Sequence, residues 1–340
     1  MKLKHILGST ALALLSVSCG AQKSTTETSS VDYAKTIQSE NLKKHLYIVA
    51  GDEMAGRDTG TEGQKEAGKY LINHYTNIGL SFPTGASTFY QPVPSEFMVR
   101  GFAPKLPDSE NIWTFIEGSE FPDEVLVISA HYDHVGTKNG EIYNGADDDG
   151  SGTVALLEIA KAFQKAKNEG KGPKRSILFL HVTGEEHGLH GSRYYSENPL
   201  FPLANTIANI NIDMIGRRDT LHKNTNNYIY VIGSDRLSSE LHSINEEVNS
   251  KYVNLELDYK YNDRNDPERI YYRSDHYNFA KNGIPSVFFF NGIHEDYHLP
   301  SDTPDKIEYD ALEKRAQLAF HLAWELVNRD KRIIVDLDGN

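Results

Sequence analysis

Five short segments of this 340-residue chain concentrate imidazoles and carboxylates. They are Ala130-His131-Tyr132-Asp133-His134, Gly145-Ala146-Asp147-Asp148-Asp149-Gly150-Ser151-Gly152, Thr183-Gly184-Glu185-Glu186, Asp213, and His294-Glu295-Asp296-Tyr297-His298. Imidazole and carboxylate donors suit zinc, and cobalt or manganese as substitutes. A carboxylate beside such an ion can also move protons as a general base. The single cysteine, Cys19, excludes a disulfide framework and a cysteine-based zinc site, so a metal would have to be held by His, Asp and Glu. Taken singly the segments are weak signals: Glu185-Glu186 reads as a solvated surface pair and the Asp triplet as a complement to a helix N-terminus. Together they are informative because of where they fall.

Four of the segments lie at or shortly after the ends of apolar runs, at 125–129, 177–181, 207–212 and 286–290, with a further run at 228–232. Helical periodicity fits 153–167, 237–251 and 310–327. Thr61 and Gln64 read as a capping box for a helix ending near Asn77, before Gly79. Apolar strands with helices between them predict an α/β fold, a mainly parallel central sheet with helices on both faces, in one domain over about 39–328. In such sheets ligands gather beyond the carboxyl ends of the strands, where the acidic and histidine segments lie. The polar stretch 258–274 reads as a rim loop, His181 as a core histidine, and Asp275 as a helix cap. Arg57 reads as a partner for a nearby carboxylate or an anchor of the entry loop. A formal net charge of −13 excludes a polyphosphate partner such as nucleic acid.

The N-terminus carries Lys2, Lys4 and His5, then an apolar run to Leu15 and small residues before Cys19. This layout predicts a signal peptide over 1–18, with Cys19 lipidated as in a bacterial lipobox. Residues 19–38 would be a flexible tether and 39–340 the catalytic domain. The expected location is the bacterial cell envelope, with membrane attachment only through the lipid.

The order Ser-Ala-His131-Tyr-Asp133-His, Gly-Ala-Asp-Asp148-Asp-Gly-Ser-Gly, Thr-Gly-Glu185-Glu186-x-Gly-Leu-x-Gly-Ser, Asn-Ile-Asp213-Met-Ile-Gly and Tyr297-His298-x-x-Ser-Asp302-Thr-Pro resembles the co-catalytic zinc aminopeptidase family. That family also includes glutamate carboxypeptidases and glutaminyl cyclases, and the resemblance covers about residues 40–328. It implies a zinc-exopeptidase-like domain holding two zinc ions, His131 and Asp213 on one, Glu186 and His298 on the other, and Asp148 bridging. Asp133 would orient the His131 ring, and Asp302 would stand as a further outer carboxylate. Glu185 would be the general base and Tyr297 a donor to the developing oxyanion. The implied reaction is hydrolysis of the N-terminal residue from peptides with a free N-terminus, by water activated between the two zinc ions. His294 competes with His298, while His134, His187 and His190 would line the site or face solvent. Three alternatives remain open: a mono-zinc glutaminyl cyclase, a dipeptidyl or carboxypeptidase variant of the same fold, and a non-catalytic binding module.

Overall fold

Runs of β-branched and aromatic residues without polar alternation can be buried on both faces, and here they form the centre of one eight-stranded sheet. The computed structural model describes residues 26–99, 101 and 105–339. Its strands are β1 (Tyr90–Val93), β2 (Ser109–Ile116), β3 (Phe121–His131), the short pair β4 (Thr137–Lys138) and β5 (Glu141–Ile142), β6 (Arg175–Val182), β7 (Thr206–Ile212), β8 (Tyr228–Ile232), β9 (Glu256–Asp258) and β10 (Ser286–Phe290). The α-helices are α1 (Thr26–Ala34), α2 (Ser39–Val49), α3 (Glu62–Asn77), α4 (Gly152–Asn168), α5 (His190–Glu197), α6 (Ser239–Val248), α7 (His276–Ala280) and α8 (Tyr309–Asn328).

The strand order is β1-β2-β6-β3-β7-β10-β8-β9. Strands β6, β3, β7 and β10 run parallel, so their carboxyl ends share one edge. Antiparallel β2 and β8 flank this core. Side chains alternate between the faces: Leu126 and Ile128 of β3 pack in the large cluster with α4 and α8, whereas Val125 and Val127 pack with Tyr195 and Phe279 of α5 and α7. Helices therefore cover both faces, as the apolar strands require.

Four expectations change. Residues 26–38 are not a tether throughout, because α1 begins at Thr26 and Tyr33, Ala34 and Ile37 are buried. Tyr33 stacks on Trp324 of α8 at 5.6 Å and donates to Glu169, so apolar burial outweighs the polar composition. The capping box at α3 does not form: Thr61 donates to the Asp58 carbonyl, and Gln64 accepts from Gly60 and donates to Thr183. Gln64 is instead a buried link between helix and sheet. The stretch 258–274 is only partly rim, since Tyr261, Ile270 and Tyr271 are buried with Tyr230, Phe288 and Phe290. Finally, β1 and β2 extend the sheet before the first strand read from the sequence.

His181 of β6 is fully buried and its Nε2 lies 2.6 Å from the Tyr75 hydroxyl. Burial holds its pKa down, from 6.5 to about 3. A histidine kept neutral by the fold stabilises it fully above its unfolded pKa, and that stability is lost as pH falls from about 6.5 towards 3. At about 1.4 kcal/mol per pH unit, the loss is about 2 kcal/mol by pH 5. Thermal midpoints of wild type and His181→Gln, compared between pH 7.5 and 5, should show the smaller acid decrease in the variant; equal decreases would refute the assignment.

Candidate active site

Each of the four parallel strands delivers one part of the site. β3 ends on His131, β6 leads through a turn to Glu185 and Glu186, β7 ends one residue before Asp213, and β10 leads to the loop carrying Tyr297 and His298. Asp148 comes from the segment just before α4. That segment is pressed against β7: a Cβ on Gly152 would lie 2.4 Å from the Ile212 carbonyl, so only glycine permits the approach. The carboxylate of Asp302 accepts the main-chain N–H groups of Asp147 at 3.0 Å and Asp148 at 3.2 Å, which fixes the segment from the other side.

Arg57 anchors this scaffold. It is fully buried and spends its guanidinium on main-chain carbonyls of Val49, Tyr132, Asn144 and Gly145 at 2.6–3.0 Å. It thus ties the exit of β3 to the start of the Asp148 segment, and among the described residues it pairs with no carboxylate directly.

All the expected donors meet. Asp148 Oδ1 lies 3.2 Å from His131 Nε2, and Asp148 Oδ2 lies 2.9 Å from His298 Nε2. Asp213 Oδ1 is 3.6 Å from His131 Nε2, and Glu186 Oε2 is 3.0 Å from His298 Nε2. One carboxylate therefore faces two donor groups, one with each oxygen. Asp149 also lies near His131 and Asp213, but its oxygens accept the main-chain N–H groups of His131, Gly152 and Met214. His294 stands apart from this cluster, with Nε2 at 3.2 Å from Asp147 Oδ2.

Electrostatics and unpartnered atoms indicate a cation. Burial opposes ionisation of Asp148, yet the imidazoles of His131 and His298 overcome it and hold the carboxyl well below its usual range. Burial likewise opposes the charge on His298, but Asp148 and Glu186 push its pKa up to about 10. The cluster thus draws positive charge from whatever can supply it. Among the described residues Glu186 Oε1, His298 Nε2 and both His134 nitrogens are buried and make no hydrogen bond, although possible partners lie within 3 Å of all but His134 Nε2. Such atoms, in an N and O donor set of this size, fit divalent zinc.

Glu185 lies at the edge of the cluster, with Oε2 4.0 Å from His131 Nε2. Burial raises its pKa well above that of an ordinary glutamate, with nearby Asp275 and Asp213 adding to the shift and His131 opposing it. Tyr297 stacks on the His298 ring at 3.9 Å, and its hydroxyl pKa is raised by burial and by the surrounding carboxylates. A small cavity adjoins, lined by Asp148, Glu185 and Asp213, by Arg273, Ser274 and Tyr297, and by the apolar Met214, Ile270, Phe288, Phe290 and Ile293.

Asp133 departs from expectation. The His131 Nδ1 lies 3.1 Å from the Asp133 main-chain oxygen and 3.8 Å from its carboxylate. The carboxylate is held elsewhere, by the Thr59 hydroxyl at 2.9 Å and the Glu185 N–H at 3.2 Å, so it positions Glu185. Asp275 makes no capping hydrogen bond; it accepts from Ser192, and burial raises its pKa to about 7. The region around Ser274 reads from the sequence as pocket wall, and Ser274 does line the cavity, but it also donates to Asp213 Oδ2 at 2.6 Å and accepts from Asn211, which in turn accepts from Ser129. Serine and asparagine in apolar strands were the available signal. Of the histidines expected to line the site or face solvent, His187 bonds Asp58 at 2.8 Å at the half-exposed rim, whereas His134 is fully buried inside the cluster.

The model of Peptidase family M28 matches residues 111–323. The chain is 36% identical over 121 residues to the vacuolar membrane protease of Tuber melanosporum, covering 35% of this chain and 12% of that protein. It is 28% identical over 212 residues to the probable leucine aminopeptidase of Trichophyton verrucosum, covering 60% of this chain and 54% of that protein. The chain thus spans about an eighth of the first relative's length and about half of the second's. In fold it is similar to the crystal structure of the Legionella pneumophila LapA aminopeptidase, with a TM-score of 0.68 at 22% identity over 90% of this chain and 76% of that one. The expected bacterial cell-envelope location is corrected by the curated relatives, which include vacuolar membrane proteases of fungi, eukaryotic organisms. No helix among the described residues is long and apolar enough to cross a membrane, and the expected signal peptide and Cys19 lie outside the described residues. The matched stretch runs from β2 into α8 and contains every side chain gathered at the strand ends, so the chain belongs to peptidase family M28.

Proposed function

We propose that the protein is a di-zinc aminopeptidase that removes the N-terminal residue of peptides. The observation that carries this reading is Asp148, whose two oxygens face two separate donor groups, His131 with Asp213 and Glu186 with His298. These five residues would hold the two ions. When bound, such a pair supplies Lewis acidity and lowers the pKa of water towards neutrality.

Glu185 would take the proton of the attacking water and return it to the leaving amine. Its raised pKa supports the first half of that exchange, because a more basic carboxylate takes the proton of water more readily than an ordinary glutamate does. Asp133 steadies Glu185 through its main-chain N–H. The Tyr297 hydroxyl, kept protonated by its surroundings, is suited to donate to the oxyanion forming on the scissile carbonyl. The apolar residues of the cavity lining suit an apolar first side chain, and its carboxylates favour the ammonium end of a peptide over the carboxylate end. Arg273 supports a second reading as a carboxypeptidase: it lines the cavity and the adjoining groove and forms no ion pair among the described residues.

Mass spectrometry of peptides with free, acetylated and Gln N-termini, incubated with the full chain and zinc or chelator, tests these readings. Loss of single N-terminal residues, only from free amines and only with metal, is the expected result. Loss of C-terminal residues would move the assignment to a carboxypeptidase, and ammonia loss from Gln peptides alone to a cyclase. Glu185→Gln should retain its metal while turnover falls by about 10²–10⁴-fold; near-normal turnover would remove Glu185 from the reaction. His298→Ala should lose about one equivalent of zinc in elemental analysis, and full occupancy would return His294 to consideration.

A further inference from the structure

His134 has no role in the reaction just described, yet it stands among the donors Asp148, Glu186 and His298. Its ring is fully buried, and among the described residues neither nitrogen has a hydrogen-bond partner. Its Nδ1 lies 2.8 Å from Glu186 Oε1 without the alignment of a hydrogen bond, and 3.8 Å from Asp148 Oδ2. The ring sits edge-on to that of His298, with centroids 5.6 Å apart. It is held there by the backbone: the His134 N–H donates to the Arg57 carbonyl, and a Cβ on Gly145 would come within 2.4 Å of the ring.

We propose that His134 Nδ1 is a fourth protein donor to the ion at Asp148, Glu186 and His298, closing that position and leaving the one at His131 and Asp213 open to water and substrate. The inference rests on the two-ion reading above. One donor atom from each of the four residues lies within 4.8 Å of the others: Asp148 Oδ2 is 2.9 Å from His298 Nε2 and 3.8 Å from His134 Nδ1, and Glu186 turns Oε1 to His134 at 2.8 Å and Oε2 to His298 at 3.0 Å. A tetrahedral zinc with bonds of about 2.0–2.2 Å sets its donors about 3.3–3.5 Å apart, within the span of these separations. The other position has no comparable set: beyond His131, Asp148 and Asp213, its remaining neighbours are Asp149, committed to main-chain amides, and Glu185 at 4.0 Å. Zinc closed by four protein donors is characteristically structural, whereas zinc with three keeps a coordination place for chemistry. The two ions would then be unequal, one holding the scaffold and the other exposed to substrate.

The full-length protein, stripped of metal and loaded with an NMR-active cadmium isotope, tests this without any substitution. With isotope-labelled histidine, cadmium should couple to nitrogens of three imidazoles, those of His131, His134 and His298. Coupling to His131 and His298 alone overturns the inference and leaves the two-ion reading intact; coupling to none overturns both. His134→Phe, which keeps a ring but no donor, and His134→Ala should each lose one coupled nitrogen. In chelator competition both should bind one of their two zinc ions at least about 100-fold more weakly than wild type, beyond the roughly 10–100-fold usual for an outer hydrogen-bonding partner. In cobalt-loaded protein the same variants should shift the visible ligand-field bands as water replaces a nitrogen. Unchanged bands with only modestly weaker binding would make His134 an outer partner of Glu186 and overturn the assignment.

Discussion

An ionised carboxylate cannot be taken out of water without a counter-charge, and this constraint organises the molecule. Asp148, Glu186, Asp213 and Glu185 converge at the ends of four parallel strands, and Asp133, Asp149, Asp275 and Asp302 are buried around them. So many acids in one low-dielectric region can persist only if some stay protonated, some accept main-chain N–H groups, and the rest face imidazoles or a cation. All three solutions occur. Asp275 is pushed towards the neutral form, Asp149 and Asp302 are held by amides, and Asp148 is kept ionised by the two imidazoles beside it.

The scaffold must resist the repulsion this arrangement stores. Two fully buried arginines bracket the site and bind carbonyl oxygens rather than acids. Arg57 ties the exit of β3 to the Asp148 segment, and Arg315 of α8 ties Ile215 and Arg217, just beyond Asp213, to Tyr228 of β8. A guanidinium presents several donors in a rigid plane, so one side chain can fix three or four strands of main chain at once. Below them, the chain Ser129, Asn211, Ser274 and Asp213 aims a carboxylate through successive hydrogen bonds. The position of each acid is therefore set by neutral or cationic partners that do no chemistry themselves.

Much of this was legible in one dimension because each feature has a local cause. The strands at 228–232 and 286–290 match β8 and β10, since a run of apolar residues short enough for a strand and buried on both faces has few other solutions. The helices at 153–167 and 310–327 differ from α4 and α8 by one residue at each end. Where the reading failed, a distant partner overrode the local signal. Residues 26–38 look like a polar tether until Trp324 offers Tyr33 a ring to stack on, and 258–274 looks like solvent until Phe288 and Phe290 cover its tyrosines and isoleucine. Thr61 and Gln64 have capping-box spacing, but Ser109 and Thr183 are better partners for a buried amide.

The amino-acid sequence by itself determined the α/β class, the strand ends at which chemistry would gather, and the acidic and histidine side chains brought there, because residue type and short-range periodicity carry that information. Only the tertiary structure decided how those side chains divide the work. The Asp133 carboxylate turns to Glu185 rather than to His131, Asp149 spends its oxygens on amides while Asp148 turns its own to two imidazoles, and His134 lies inside the cluster while His187 bonds Asp58 at its rim. Those choices depend on distances between segments far apart in the chain, and a hydrogen bond or a ligand position is settled within a few tenths of an ångström, a scale that residue spacing does not encode.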